Sequence, residues 1–129
     1  MTVMTDPRFS EAIELFNAQE FFACHDVLEE LWSETLDESR EFYQGLIHAA
    51  VALFHFSEGN LGGARKMHDS AVRYLAPYGD TCRGLELRRF RVEFDHCFEE
   101  LLQVSSGYPQ GVAIDPQRIP LLIFHPSRS

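Results

Sequence analysis

The stretch "EFYQGLIHAAVALFHFSEGN", residues 41–60, is apolar on almost every side when wound as a helix. A helix over residues 38–57 with that pattern belongs at the centre of a bundle, with neighbours all round. Its polar exceptions form one narrow stripe. At 100° per residue, Glu41, Gln44, His48, Ala52 and His55 fall within about 60° of one another. Burying such groups costs about 1–3 kcal/mol each unless they find partners. "EGN" ends the helix, and Asn60 is placed to cap the next one.

Working outward, helical periodicity continues on both sides. Residues 20–34 form a second helix with Phe21, Cys24, Leu28 and Leu31 on one stripe. The turn "TLDES", with Asp37 as a cap, makes it an antiparallel neighbour of the central helix. Asp6-Pro7 is a start signal for the first helix, whose "RFSEAIELFN" aligns Phe9, Ile13 and Phe16. A fourth helix spans residues 61–76, with Gly62-Gly63 permitting a close backbone approach. After the break "APYGD", a fifth covers residues 84–104, with Leu87, Phe90, Phe94, Cys97 or Phe98, and Leu101 at near-heptad spacing. No strand pair is evident. "FNAQEFFAC" and "FSEGNLGGA" echo each other at an offset of 40, both reading as helix end, turn, helix start.

The remainder, "SSGYPQGVAIDPQRIPLLIFHPSRS", has too many prolines for a helix, yet Ile119 and Leu121 to Phe124 are too apolar for a free tail. It is expected to lie extended over the bundle or over a partner chain. The expected architecture is all-α: a single-domain bundle of about five helices built from antiparallel helix hairpins, with an extended Pro-rich C-terminal segment packed on it. Residues 1–129 read as one helical domain, with a flexible start at 1–5 and the extended segment at 105–129.

Composition narrows the function classes. The chain has 129 residues, 45% hydrophobic and 24% charged, with net charge −9. That charge opposes nucleic-acid binding, which needs a basic face. The exception, "RGLELRRFR", is followed by Glu93, Asp95, Glu99 and Glu100, and reads as a solvated helix face laced with i,i+4 pairs. No apolar run reaches the ~18–20 residues that span a bilayer, so no membrane role is expected. The start "MTVMTDPRF" does not read as a secretory signal. Cys24, Cys82 and Cys97 read as reduced thiols in a cytoplasm.

The candidate site joins the second and third helices. His25, Glu29 and Trp32 share a face at i, i+4 and i+7. Counting back from the turn, Trp32 stands level with Glu41, Glu29 with Gln44, and His25 with His48, while His55 lies nearer Phe21 or Ala18. Convergence of these groups suits either a divalent metal (zinc, manganese, iron or nickel) or a buried hydrogen-bonded network. Cys24 points about 100° from His25, so it reads as a core residue and not as half of a Cys–His nucleophile. His68 reads as exposed or half-buried. There is no Gly-x-Ser-x-Gly turn and no phosphate-binding glycine loop.

The pieces "HDVLEELW", "FYQGLIHAAVALFHFSEGN" and "GGA", spread over about residues 21–75, resemble a small helical family, the domain of unknown function 309. The resemblance implies an all-helical fold, and the label "predicted metal-dependent hydrolase" has been attached to it. The family's motif positions fall on His25, Glu29, Trp32, Gln44, Gly45, His55, Gly59 and Asn60. Two departures stand out: Asp26 where the family usually has glutamate, and His48 where it often has glutamine.

Three functions compete. The favoured one is a binding or scaffold protein that holds a partner protein or self-associates, because no catalytic constellation is complete. The second is a metal-dependent hydrolase with His25, Glu29 and His48 as ligands, Glu41 activating water and Gln44 orienting substrate. The third is a small-ligand sensor, with Trp32, Tyr43 and Gln44 around an apolar pocket. The candidate ligand pocket or polar network comprises His25, Glu29, Trp32, Tyr43, Gln44, His48 and His55.

Overall fold

Asp6 opens the first helix, as its cap chemistry predicts. Its carboxylate accepts the Arg8 N–H at 2.9 Å, and Pro7 occupies a first-turn position where the missing N–H is no loss. The computed structural model describes residues 6–104 and 111–126. The expected flexible start at 1–5, and residues 105–110 and 127–129 of the expected extended segment, lie outside the described residues.

Four helices follow in hairpin succession: α1 (Pro7–Asn17), α2 (Phe21–Glu34), α3 (Ser39–Ser57) and α4 (Leu61–Leu75). Each packs mainly on the next in sequence, because short turns bring consecutive helices together. Helix α3 is the central one, with buried residues on nearly every side from Phe42 to Phe56. Its approach to α4 depends on Gly45, where a Cβ would stand 2.6 Å from Leu75 Cδ2. The α3–α4 junction is sealed by backbone bonds. Gly59 turns at φ 77°, the Asn60 N–H reaches His55 O at 2.8 Å, and the Gly59 N–H reaches Phe56 O at 3.1 Å. The Asn60 side chain then accepts the Gly63 N–H at 3.1 Å and starts α4.

The region expected as one helix over residues 84–104 is divided. A 3-10 turn at Ala76–Tyr78 leads into a two-stranded antiparallel pair, β1 (Thr81–Cys82) and β2 (Leu85–Glu86). Arg83 and Gly84 between them both have positive φ, 47° and 84°, the two-residue turn that suits strand twist. Strands this short carry no alternating pattern, and Arg-Gly is not the usual turn signature, so the sequence did not announce them. Asp80 O then accepts the Leu87 and Arg88 N–H groups and starts α5 (Leu87–Cys97); α6 (Glu99–Leu102) follows after a break at Phe98. The heptad-like stripe is nonetheless correct: Leu87, Phe90, Phe94, Cys97, Phe98 and Leu101 are all buried.

The C-terminal segment lies on its own bundle. The Glu86 N–H donates to Ile123 O at 3.0 Å and the His125 N–H to Gly84 O at 2.7 Å, so the segment extends the small sheet. Asn17 grips it from α1, its amide donating to Leu122 O at 3.0 Å and accepting the Leu122 N–H at 2.8 Å. Leu122 is buried, and the Phe124 ring meets Phe9 edge-on at 5.4 Å. Among the described residues, the regular structure is thus helical apart from this minor sheet. No helix among the described residues is long and apolar enough to cross a membrane.

Candidate functional site

Phe21 and Phe22 are adjacent on α2, and adjacent helical residues point about 100° apart. Phe21 is therefore buried while Phe22 remains 60% exposed. Phe22 leans on Phe54 of α3 at 5.7 Å and on His25 at 5.9 Å. Together with Phe21, Val51 and His55 they enclose a cleft of about 170 Å³ between the two helices, almost wholly apolar in lining. His55 and Phe21 line the same cleft.

His25 forms one wall of the cleft and is itself held by carboxylates. Its Nε2 lies 3.2 Å from Glu29 Oε1 and its Nδ1 lies 3.3 Å from Asp26 Oδ1. One ligand atom from each of the three lies within 4.8 Å of the others. Asp26 and Glu29 are exposed, so this group is on the surface and not in the buried network expected of it.

The polar stripe of α3 finds its partners mainly on α4, not on α2. The Gln44 amide donates to His48 Nε2 at 2.6 Å, and His48 Nδ1 lies 2.6 Å from Ser70 Oγ. The imidazole is then the neutral Nδ1–H form, donating to the serine. Its edge meets Tyr74 at 5.3 Å. Burial first, and then the charges of Arg73 and His25, push its pKa below the ordinary 6.5. The close α3–α4 contact at Gly45 is what brings Ser70 within reach. The expected convergence of His25, Glu29, Glu41, Gln44 and His48 thus divides: His25 and Glu29 are at the surface with Asp26, Glu41 is exposed apart from them, and Gln44 and His48 turn instead to Ser70.

The other expected residues are placed apart. Trp32 is half-buried beneath the Arg40 guanidinium, 3.9 Å from its ring. Glu41 is exposed in the first turn of α3. Tyr43 is buried against Phe9 and Phe42, on the core side of its helix. Cys24 is buried, and its thiol is pushed up to about 12 by that burial, which suits a core residue and not a nucleophile.

One buried histidine was missed. His68 is 4% exposed, stacked on Phe94 and tilted against Phe98, with Nε2 2.8 Å from Asp95 Oδ1. The signal was present: Ala64, His68, Ala71 and Leu75 follow the core spacing of α4. The basic run on α5 behaves as a solvated face: Arg89 pairs with Glu93 at 3.1 Å, and Arg91 donates to Leu75 O at 3.3 Å. A groove of about 360 Å³ beside it is lined by Val72, Ala76, Arg88, Arg91, Val92 and Asp95.

The sequence model of the family described as "Domain of unknown function (DUF309)" matches residues 9–67. Over these residues, a little under half of its length, the chain is similar to the DUF309 family. The DUF309 match takes in α1, α2, α3 and half of α4, and with them every residue lining the α2–α3 cleft. Two curated relatives resemble the chain. It is 34% identical over 98 residues to the uncharacterized protein YpuF of Bacillus subtilis (strain 168), covering 74% of this chain and 56% of that protein. It is 35% identical over 82 residues to an uncharacterized protein of Aquifex aeolicus (strain VF5), covering 63% of this chain and 25% of that protein. The chain thus spans about half the length of the first and a quarter of the second. No solved structure matches.

Proposed function

We propose that this chain is a binding module that receives a side chain of a partner protein in the α2–α3 cleft. The observation that carries this reading is Phe22, a large aromatic left 60% exposed at the mouth of an apolar cleft. Size favours a side chain over a free metabolite. Small-molecule sites hold roughly 300–1,000 Å³, and this cleft holds about 170 Å³. The α4–α5 groove is larger, but Arg91 and Asp95 in its walls already bond to Leu75 and His68. A sensor built on Trp32, Tyr43 and Gln44 is therefore disfavoured. Nucleic acid is a poor partner for a chain of net charge −9. A reducing cytoplasm suits three free cysteines, two of them buried.

The test is a titration with indole, an uncharged mimic of an aromatic side chain, followed by amide NMR. Shifts confined to Phe22, His25, Val51, Phe54 and His55, and lost when Val51→Phe fills the cleft, are the expected result. Shifts that miss the cleft overturn the reading.

The grouping of His25, Asp26 and Glu29 favours one second reading, the metal-dependent hydrolase. One imidazole nitrogen and one carboxylate fit a first-row divalent ion (zinc, manganese, iron or nickel), with the other carboxylate orienting the ring. Such an ion supplies Lewis acidity and an activated water. In this reading His48 must leave Gln44 and Ser70 to become a ligand, with Glu41 as base and Gln44 orienting substrate. Elemental mass spectrometry on untagged protein tests it beside folded His25→Ala. Near one metal per chain, lost in the variant, supports it; no metal after reconstitution ends it.

A further inference from the structure

We infer that the partner segment is a basic amphipathic helix. This rests on the cleft being a side-chain receptor, as proposed above, and concerns what surrounds the inserted side chain. A groove between two helices is suited to a third helix that presents apolar residues at i, i+3, i+4 and i+7. One turn beyond its lining on α2 and α3, the Asp, Glu, Lys and Arg side chains are all acids. Phe22, His25 and Phe54 line the cleft, and four residues beyond each stands an exposed acid: Asp26, Glu29 and Glu58.

No basic residue of this half of the chain offsets those acids. Residues 1–58 contain twelve acidic residues and two basic ones, Arg8 and Arg40. Arg8 is bound to Asp6 and Glu34. Arg40 is stacked on Trp32. Residues 59–129 are nearly balanced, with eight acids and nine lysines and arginines. The excess of acid thus falls on the residues that form α1 to α3, including both walls of the cleft, while the arginines and lysine of α4 belong to the balanced remainder. Exposed carboxylates contribute little one by one, but a surface of one sign steers an oppositely charged partner and rejects a like-charged one. The apolar cleft selects a side chain; the acids around it select lysine and arginine in the flanking turns.

The test uses the full chain and a designed helical peptide of leucine and lysine with helical leucine spacing, beside the same peptide with glutamate for lysine. Anisotropy gives affinity at low and physiological salt, and amide NMR gives the location. The expected result is binding of the lysine peptide with shifts at Phe22, His25 and Phe54, at least about tenfold tighter than the glutamate peptide. Phe22→Ala, a change at an exposed position, and the double change Asp26→Asn with Glu29→Gln are each expected to weaken binding about tenfold. Lysine-peptide binding that survives Phe22→Ala is diffuse attraction to an acidic surface and overturns the inference. Equal binding of the two peptides overturns it too. So does a second copy seated on the cleft through the arginines and exposed Val92 of α5, detected as self-association abolished by Arg88→Glu. If indole enters the cleft but the lysine peptide does not, only the charge inference falls; if neither enters, the side-chain receptor falls with it.

Discussion

Gln19 and Gly59, forty residues apart, share one left-handed backbone conformation, with φ of 64° and 77°. Each closes a helix with the same pair of bonds. The Glu20 N–H reaches Leu15 O and the Gln19 N–H reaches Phe16 O, both at 2.9 Å, as Asn60 and Gly59 reach His55 and Phe56. The flanking residues correspond as well: Phe16 and Phe56 are buried, and so are Cys24 and Ala64. The echo in the sequence is a repeated chain reversal, and the copy at Gln19 uses a side chain where glycine suits the backbone better.

Gln19→Gly is therefore expected to stabilise the fold. Relief of a left-handed L-residue is worth about 1–2 kcal/mol, and the added freedom of unfolded glycine takes back about 0.5–1. A net gain of about 0.5–1 kcal/mol in urea unfolding is predicted, with a loss of similar size for Gly59→Ala. Nothing lies within 4 Å of a Cβ at Gly59, so that loss is purely one of backbone conformation.

Gly45→Ala is expected to destabilise for a different reason. Its backbone is ordinary helix, but the new methyl meets Leu75 Cδ2 at 2.6 Å and Tyr74 Cβ at 3.2 Å. Overpacking of this kind costs about 1–3 kcal/mol. Urea unfolding reads the loss, and amide shifts are expected to concentrate on α4, opposite the methyl.

His48 links stability to pH. Its folded pKa lies below 6.5, so below that pH the unfolded chain takes up a proton that the folded chain resists. Its contribution is complete above pH 6.5 and declines as pH falls towards the folded value. In His48→Gln, an amide replaces the ring between Gln44 and Ser70 and does not titrate. Urea midpoints measured from neutral pH downward should fall less steeply in the variant; parallel curves would refute the linkage.

Asn17→Ala removes both bonds to Leu122 and leaves that backbone pair half-buried without its partner. A loss of about 1–3 kcal/mol is expected. Amide exchange locates it: Leu122 is predicted to exchange faster, while the amides of α3 keep their protection.

Much of the fold was legible because long amphipathic helices bury residues at a regular period. The first four helices fall within a residue or so of where caps and breaks put them, and the apolar stripe of α2 is buried as read. The residues around 81–86 were not legible, since two-residue strands have no period and depend on the distant segment at Ile123 to His125. At the site, the identity of the polar residues was readable but their grouping was not. Gln44 and His48 lie on a helix with neighbours on several sides, and periodicity does not say that Ser70, and not Glu29, completes the set. Phe22 was overlooked because the stripe through Phe21 accounted for the helix; that two adjacent phenylalanines cannot both face inward was the available clue.

The grip of Asn17 on Leu122 also bears on the order of folding. The two residues are 105 positions apart, so during synthesis α1 to α4 can emerge and pair while this amide still bonds water. Closing so long a loop comes late, although its entropic cost grows only slowly with length. Until it closes, Phe9 lacks the ring of Phe124 and β2 lacks its neighbour in the sheet. A chain whose helical hairpins had paired before this closure would keep one apolar flank open, the arrangement most exposed to unwanted association.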